Sequence, residues 1–334
     1  MRSRLVLLAT FALTLFLAPA TEAGDPGLEW SLHERCVLKR SGPPGPAGNK
    51  LVVVTTGTII VSRDRRQIDV VEYQREDCRG GQPTVDNVDR IVLKGLGEVI
   101  IDARTTGLFG PGATPEPGDS EIEIYTYGPR ITYYGSRRSD RIVITTLRGG
   151  RPGLDLNAPR NRRRGDVDLI VNGPPRTLRI SAKPGRDLID ARRLTSFDGE
   201  RHRLFLRGQA GNDVILGSDD PEWRIEDGRG RDFVRAGGGA DEVWVGRGHD
   251  VVYGDDGADD IRYAVYQHHE TTFGDVSDRF FGGRGNDRLE DRNGKRDVLS
   301  CGPGHDRVRR ESRDRFGPHC EERVGRLPGG PGTE

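Results

Sequence analysis

Aspartates recur through the second half of this chain at an interval that chemistry can use. Asp213, Asp232, Asp241, Asp250 and Asp259 each close a glycine-containing run. Two residues beyond each stands an apolar residue: Ile215, Val234, Val243, Val252 and Ile261. After a first gap of nineteen residues the spacing is strictly nine. Carboxylates are hard oxygen donors, and carboxylates brought close together repel. A hard cation relieves that repulsion, and calcium takes about 6–8 oxygen ligands at about 2.3–2.6 Å. One Asp per turn falls short of that number. Backbone carbonyls exposed by glycine turns can supply the rest.

The residues between the aspartates say how they are positioned. Val243-Trp244-Val245 and Val251-Val252-Tyr253 suit short strands of about three residues. The glycine runs suit tight turns, because glycine takes positive φ without steric cost. A chain that alternates strand and turn every nine residues must coil or zigzag. One coil of two blocks places Asp232 over Asp250 and Asp241 over Asp259, each eighteen residues apart. Stacked coils pair in register and bury their apolar positions in one continuous strip.

These blocks resemble the RTX, or haemolysin-type, calcium-binding repeat GGxGxDxUx, where U is a large apolar residue. Gly282-Gly283-Arg284-Gly285-Asn286-Asp287-Arg288-Leu289-Glu290 matches it completely. Gly228/Gly230/Asp232, Gly237/Gly239/Asp241 and Gly246/Gly248/Asp250 match at the second, fourth and sixth positions. Asp213 and Asp259 keep the first and fourth glycines, as Gly208/Gly211 and Gly254/Gly257. The resemblance implies an all-β fold, a parallel β-roll or β-solenoid, with several calcium ions between its turns. The expected ligands are Asp213, Asp232, Asp241, Asp250, Asp259, Asp287 and Asp306, with Gly228, Gly230, Gly237, Gly239, Gly246, Gly248, Gly283 and Gly285. Arg229, Arg231, Arg247 and Arg284 stand inside the turns and are expected to weaken cation binding. The order VDNVDRIVLKG, IDA, FGPGATPE, SEIE is similar to the region preceding the repeats in secreted, actinobacterial-type calcium-binding proteins.

The rest of the chain divides around the repeats. Residues 1–23 read as a signal peptide, with Arg2 and Arg4 before an apolar run from Leu5 to Leu17 and small residues after it. That run is too short to span a membrane, so a secreted, extracellular chain is expected. Residues 24–121 form a β region ending in a Gly/Pro loop. Residues 122–207 read as degenerate coils that keep Asp and strand but lose glycine. Asp168 and Asp187, nineteen apart, suggest one such coil, and these coils are expected to be structural with little or no calcium, Asp187 being the exception. The calcium-type repeats occupy 208–262 and 282–310, separated by an inserted loop at 263–281. Residues 311–334 read as a disulfide-linked cap and a disordered tail.

Composition narrows the function. Aromatic residues make up 6% and hydrophobic residues 33% of the chain, which suits a thin continuous core better than a compact one. Gly208 to Ile261 carries fourteen acidic residues against five Arg, a net charge of −9, while the whole chain is neutral. No basic cluster is interleaved with aromatics, so nucleic acid is not a partner. Four cysteines in a secreted chain allow three pairings; the local one, Cys36–Cys78 with Cys301–Cys320, is favoured. Each bridge would add about 3 kcal/mol. His268-His269-Glu270 lacks a third ligand at zinc spacing. No catalytic motif stands out, and the chain is not expected to be an enzyme. The expected function is a monomeric, calcium-binding, structural or binding protein whose folding is coupled to the metal. Its further partner is a cell-surface polysaccharide, another protein, or nothing specific. The alternatives are a polysaccharide-acting β-helix enzyme and a metal-free scaffold.

Overall fold

The computed structural model describes residues 35–39, 50–64, 67–70, 78–79, 83–84, 88–104, 122–156, 167–172, 175–195, 203–264, 276–309, 311–317, 319–320 and 322–324. The signal segment, the Ser41–Pro46 loop, the Gly/Pro loop after Arg104, His268-His269-Glu270 and the tail after Leu327 lie outside them.

Among the described residues the strands lie in two long sheets, one of fourteen strands and one of thirteen. From Arg203 onward the chain crosses from one sheet to the other between successive blocks, so two strands make one coil. In the first sheet Val214–Leu216, Phe233–Gly238, Val251–Asp256, Arg279–Arg284 and Val298–Ser300 follow one another in parallel. In the second, Arg224–Gly230, Glu242–Val245, Asp260–Tyr263, Arg288–Glu290 and Arg307–Arg309 do the same.

The nine-residue block explains this arrangement. Successive strand residues point to opposite faces, so a three-residue strand turns one side chain inward. The apolar residue after each Asp takes that place. Ile215, Val234, Val252, Phe280 and Leu299 pair in register in one sheet, and Ile225, Val243, Ile261, Leu289 and Val308 in the other. All ten are fully buried. Facing columns of single side chains make the whole core, and few hydrophobic residues per coil are enough.

The same coiling reaches far before the repeats. Lys50–Thr55, Arg90–Gly95 and Glu123–Tyr127 pair in parallel in the first sheet. Ile59–Asp64, Glu98–Asp102 and Arg130–Tyr134 pair in parallel in the second. Their inward column of Leu51, Ile91 and Ile124 continues the core without any aspartate ladder. Arg35–Lys39 runs antiparallel to Lys50–Thr55 at the end of the first sheet, held to the next segment by the Cys36–Cys78 disulfide. At the other end Cys301–Cys320 ties the last coils together. Both bridges follow the local pairing.

Two expectations are corrected. Residues 122–207 are not simple coils. Arg141–Leu147 turns back through Gly149 and Gly150, at φ 82° and 72°, into antiparallel Arg151–Leu156, which pairs antiparallel with Leu169–Val171. This detour separates Asp168 from Asp187. The Asp168 carboxylate instead accepts from the Leu156 N–H at 2.5 Å. The inserted loop is also shorter than 263–281. Arg279–Arg284 is a regular strand with Phe280 in the core, and Asp260–Tyr263 is another.

These columns allow a direct test. Ile261→Ala removes a fully buried side chain between Val243 and Leu289. It should cost about 2–5 kcal/mol in urea unfolding followed by far-UV circular dichroism. Gly248→Ala should do more. Gly248 sits at φ 147°, and an added Cβ would lie 1.4 Å from the Gly230 carbonyl oxygen. The strand signal of the repeats should be lost in that variant. Unchanged melts for both would contradict the stacking described.

Candidate metal centre

Every turn of the repeat region brings its aspartate to the same place. On one edge of the roll, where the chain passes from the second sheet to the first, the carboxylates form a continuous ladder. The Asp213 N–H donates to Asp232 Oδ1 at 2.7 Å, Asp232 N–H to Asp250 Oδ1 at 2.8 Å, and Asp250 N–H to Asp278 Oδ1 at 2.9 Å. Asp278 N–H continues to Asp297 Oδ1 at 2.8 Å. The same ladder extends backwards, from Asp187 N–H to Asp213 Oδ1 at 2.8 Å and from Asp140 N–H to Asp187 Oδ1 at 2.7 Å.

The opposite edge carries a second ladder. Asp241 N–H donates to Asp259 Oδ1, Asp259 N–H to Asp287 Oδ1, and Asp287 N–H to Asp306 Oδ1, at 2.9, 2.9 and 2.8 Å. Glu222 opens it, its N–H donating to Asp241 Oδ1 at 2.7 Å. The gap of nineteen is therefore filled, for Glu222 lies nine residues after Asp213 and takes the ladder place with a longer side chain. Its Oε1 is held by the Ser218 N–H at 2.9 Å and the Ser218 hydroxyl at 2.5 Å.

All seven expected aspartates sit on these ladders. Asp232 stacks on Asp250 and Asp241 on Asp259, at eighteen residues. Asp250 and Asp259 find their partners twenty-eight residues on, across the inserted loop. Asp187, the aspartate singled out in the degenerate coils, joins the first ladder. Asp140, Asp278 and Asp297 also belong to it and were missed as ligands because their turns lack the repeated glycine pair. The signal was there for Asp278, which precedes Arg279-Phe280, an Asp-x-apolar triplet.

The expected glycines make the close approach possible. Gly228, Gly237 and Gly283 at the second position, and Gly230, Gly239, Gly248 and Gly285 at the fourth, all have positive φ. Gly246 is the exception in φ, yet an added Cβ would lie 1.5 Å from the Gly228 carbonyl oxygen. Of the four turn arginines, Arg247 is half-buried and the other three lie at the surface. Arg229, Arg231 and Arg284 are exposed, while the aspartates beside them are buried. Their side chains lie at the surface and not among the carboxylates. On the outer faces other Arg residues pair with acids, as Arg288 does with Glu290 at 3.0 Å and Arg235 with Asp255 at 2.7 Å. Such exposed pairs add little stability each.

The inner oxygens are the unusual feature. One oxygen of each ladder carboxylate accepts an N–H. The second oxygen of Asp187, Asp213, Asp232, Asp241, Asp250, Asp259 and Asp287 is buried with no hydrogen-bond donor. Glu222 Oε2, Asp227 Oδ2, Asp291 Oδ2 and Asp297 Oδ2 are in the same state. A buried carboxylate without a partner is strongly unfavourable. The carboxyls respond accordingly. Burial pushes Asp232 and Asp250 up to about 7, and Asp259 to about 8. Asp241 rises to about 9, through burial and then the charge of Glu222. Among the described residues the unpartnered groups on these edges are carboxylate oxygens. That donor set fits a hard divalent cation such as calcium and suits a soft metal poorly.

These shifts have a definite sign. Each carboxyl's folded value lies above its ordinary value of 3.8, so the protonated form favours the folded chain. The contribution is complete below that ordinary value and is lost as pH rises through the folded values. In metal-free buffer the chain should therefore lose thermal stability between about pH 4 and pH 8, the window those values span. Added calcium should restore stability at pH 8 and do little at pH 4, where protons hold the same oxygens. Thermal melts across that range check this. A metal-free chain most stable at pH 8 would contradict the ladder electrostatics.

Comparison with known proteins agrees with this geometry. The family described as the RTX calcium-binding nonapeptide repeat, in four copies, matches residues 205–220, 226–261 and 274–308. The third segment includes Asp278, whose block lacks the repeated glycine pair. No curated protein and no solved structure matches the chain. The matched segments coincide with the coils in which both edges carry stacked aspartates. By these matches and the ladder they build, residues 205–220, 226–261 and 274–308 are RTX-type calcium-binding nonapeptide repeats.

Proposed function

We propose that this is a secreted protein in which calcium, bound between the turn carboxylates, drives folding of the β-roll outside the cell, where the folded roll has a structural or binding role. The observation that carries the reading is the row of buried carboxylate oxygens with no donor. Without a cation these charges oppose the coils that bring them together. With one, the same charges hold the coils in register. Two disulfides support an oxidising destination, as does the signal-like N-terminus. Calcium is plentiful outside cells, so affinities of about 10⁻⁴–10⁻³ M would suffice for the switch.

The test is a calcium titration of the full chain followed by far-UV circular dichroism and calorimetry. Strand signal should grow with calcium. In an Asp232→Ala/Asp250→Ala double variant the midpoint should move up by at least about tenfold, because the site loses two charged ligands. A full strand signal in EDTA with no heat of calcium binding would overturn the reading and favour a metal-free scaffold.

A further inference from the structure

The repeat pattern has glycine at its first position, and the structure shows why that position matters. At Gly208, Gly254 and Gly282 an added Cβ would lie 2.5, 2.3 and 2.4 Å from Oδ2 of the same block's aspartate. The first position therefore looks straight at the oxygen that lacks a donor. One block of the regular series places an acid there. In Asp227-Gly228-Arg229-Gly230-Arg231-Asp232 the first residue is Asp227.

Asp227 is 0% exposed. Its Oδ1 accepts from the Gly228 N–H at 2.5 Å and from the Gly246 N–H, one coil on, at 2.7 Å. Those two bonds fix the carboxylate, and Oδ2 is left with no donor. Oδ2 of Asp232 and of Asp250 is equally without one. Ligand oxygens of the three residues lie within 4.8 Å of one another. Among the described residues, no basic side chain pairs with any of them. Elsewhere in the regular series the first position is glycine, alanine or valine, as at Gly208, Ala236, Val245 and Gly254, and adds no charge.

We propose that Asp227, Asp232 and Asp250 form a three-carboxylate calcium site, tighter than the neighbouring turns and the first of them to fill. This rests on the calcium reading above and adds to it which site leads. Affinity in calcium sites rises with the number of charged ligands and with their rigidity, and this turn has more of both. A related cluster shows what the pocket looks like when the chain supplies its own donor. Asp278, Asp291 and Asp297 also converge, but Asn293 Nδ2 donates into that cluster, to Asp278 Oδ2 at 3.0 Å. No such amide enters the Asp227 pocket.

The experiment is calorimetric calcium titration of the full chain and of Asp227→Gly, Asp227→Asn and Asp291→Asn, with folding at saturating calcium checked by circular dichroism. The wild-type isotherm should contain a class at least about tenfold tighter than the rest. Asp227→Gly, which restores the repeat's own glycine, should lose that class and keep the weaker ones. Asp227→Asn should lose it too, while folding more readily without metal, because its amide can donate to the ladder oxygens. Asp291→Asn should keep it. A tight class that survives in Asp227→Gly overturns this assignment and leaves the calcium reading intact. Failure of both Asp227 variants to fold in saturating calcium makes Asp227 a structural acceptor and also overturns it. No calcium binding by the wild-type chain overturns both readings.

Discussion

Asp213, Asp232, Asp241, Asp250, Asp259 and Asp287 each divide a carboxylate between two tasks. One oxygen accepts an N–H from the neighbouring coil, and the other faces inward with nothing to bind. The first oxygen makes the ladder a structural joint, repeated along both edges. The second makes it a charge problem that grows with every coil added. Two unit charges about 4 Å apart repel by about 4 kcal/mol at the effective dielectric of a protein site. Arg229, Arg231 and Arg284 lie at the surface, away from these buried oxygens. The hydrogen-bond scheme of the coils thus gathers carboxylate oxygens that suit a hard cation.

The other features of the repeat follow from that joint. A side-chain oxygen can reach the next coil's N–H only if the turns lie almost in contact. At Gly230 and Gly248 there is no room for a Cβ against the carbonyl of the coil before. The apolar residue two positions after the aspartate then falls on the inward face of a short strand. Val234 over Val252, and Val243 over Ile261, are consequences of the turn as much as of the strand. Core column and carboxylate ladder share one period because the same turn sets both.

Towards the N-terminus the coils persist and the ladder fades. Leu51, Ile91 and Ile124 pack as the repeat valines do. There the Cys36–Cys78 disulfide ties the first strand to the segment that follows. The antiparallel detour between Arg141 and Val171 lies near the boundary between these two regimes. Asp140 and Asp187 stack across it, so the ladder begins before the glycine-rich repeats do.

Period and residue type alone determined much of this protein. Nine residues with one Asp and one apolar residue specify a two-strand coil, the stacking of Asp232 on Asp250, and a row of hard oxygen donors. Local pairing of the cysteines followed from their separations. What the sequence could not show was membership in the ladder where the local pattern fails. Glu222 replaces an aspartate by length, and Asp278 returns after an insertion. Asp168 lies nineteen residues from Asp187 yet is carried away by an antiparallel hairpin. Asp227 stands where the repeat has its first glycine and is a buried carboxylate close to two others. Spacing along the chain measures contour, whereas a ligand set is fixed by which coil lies beside which. Only the pairing of the strands decides that.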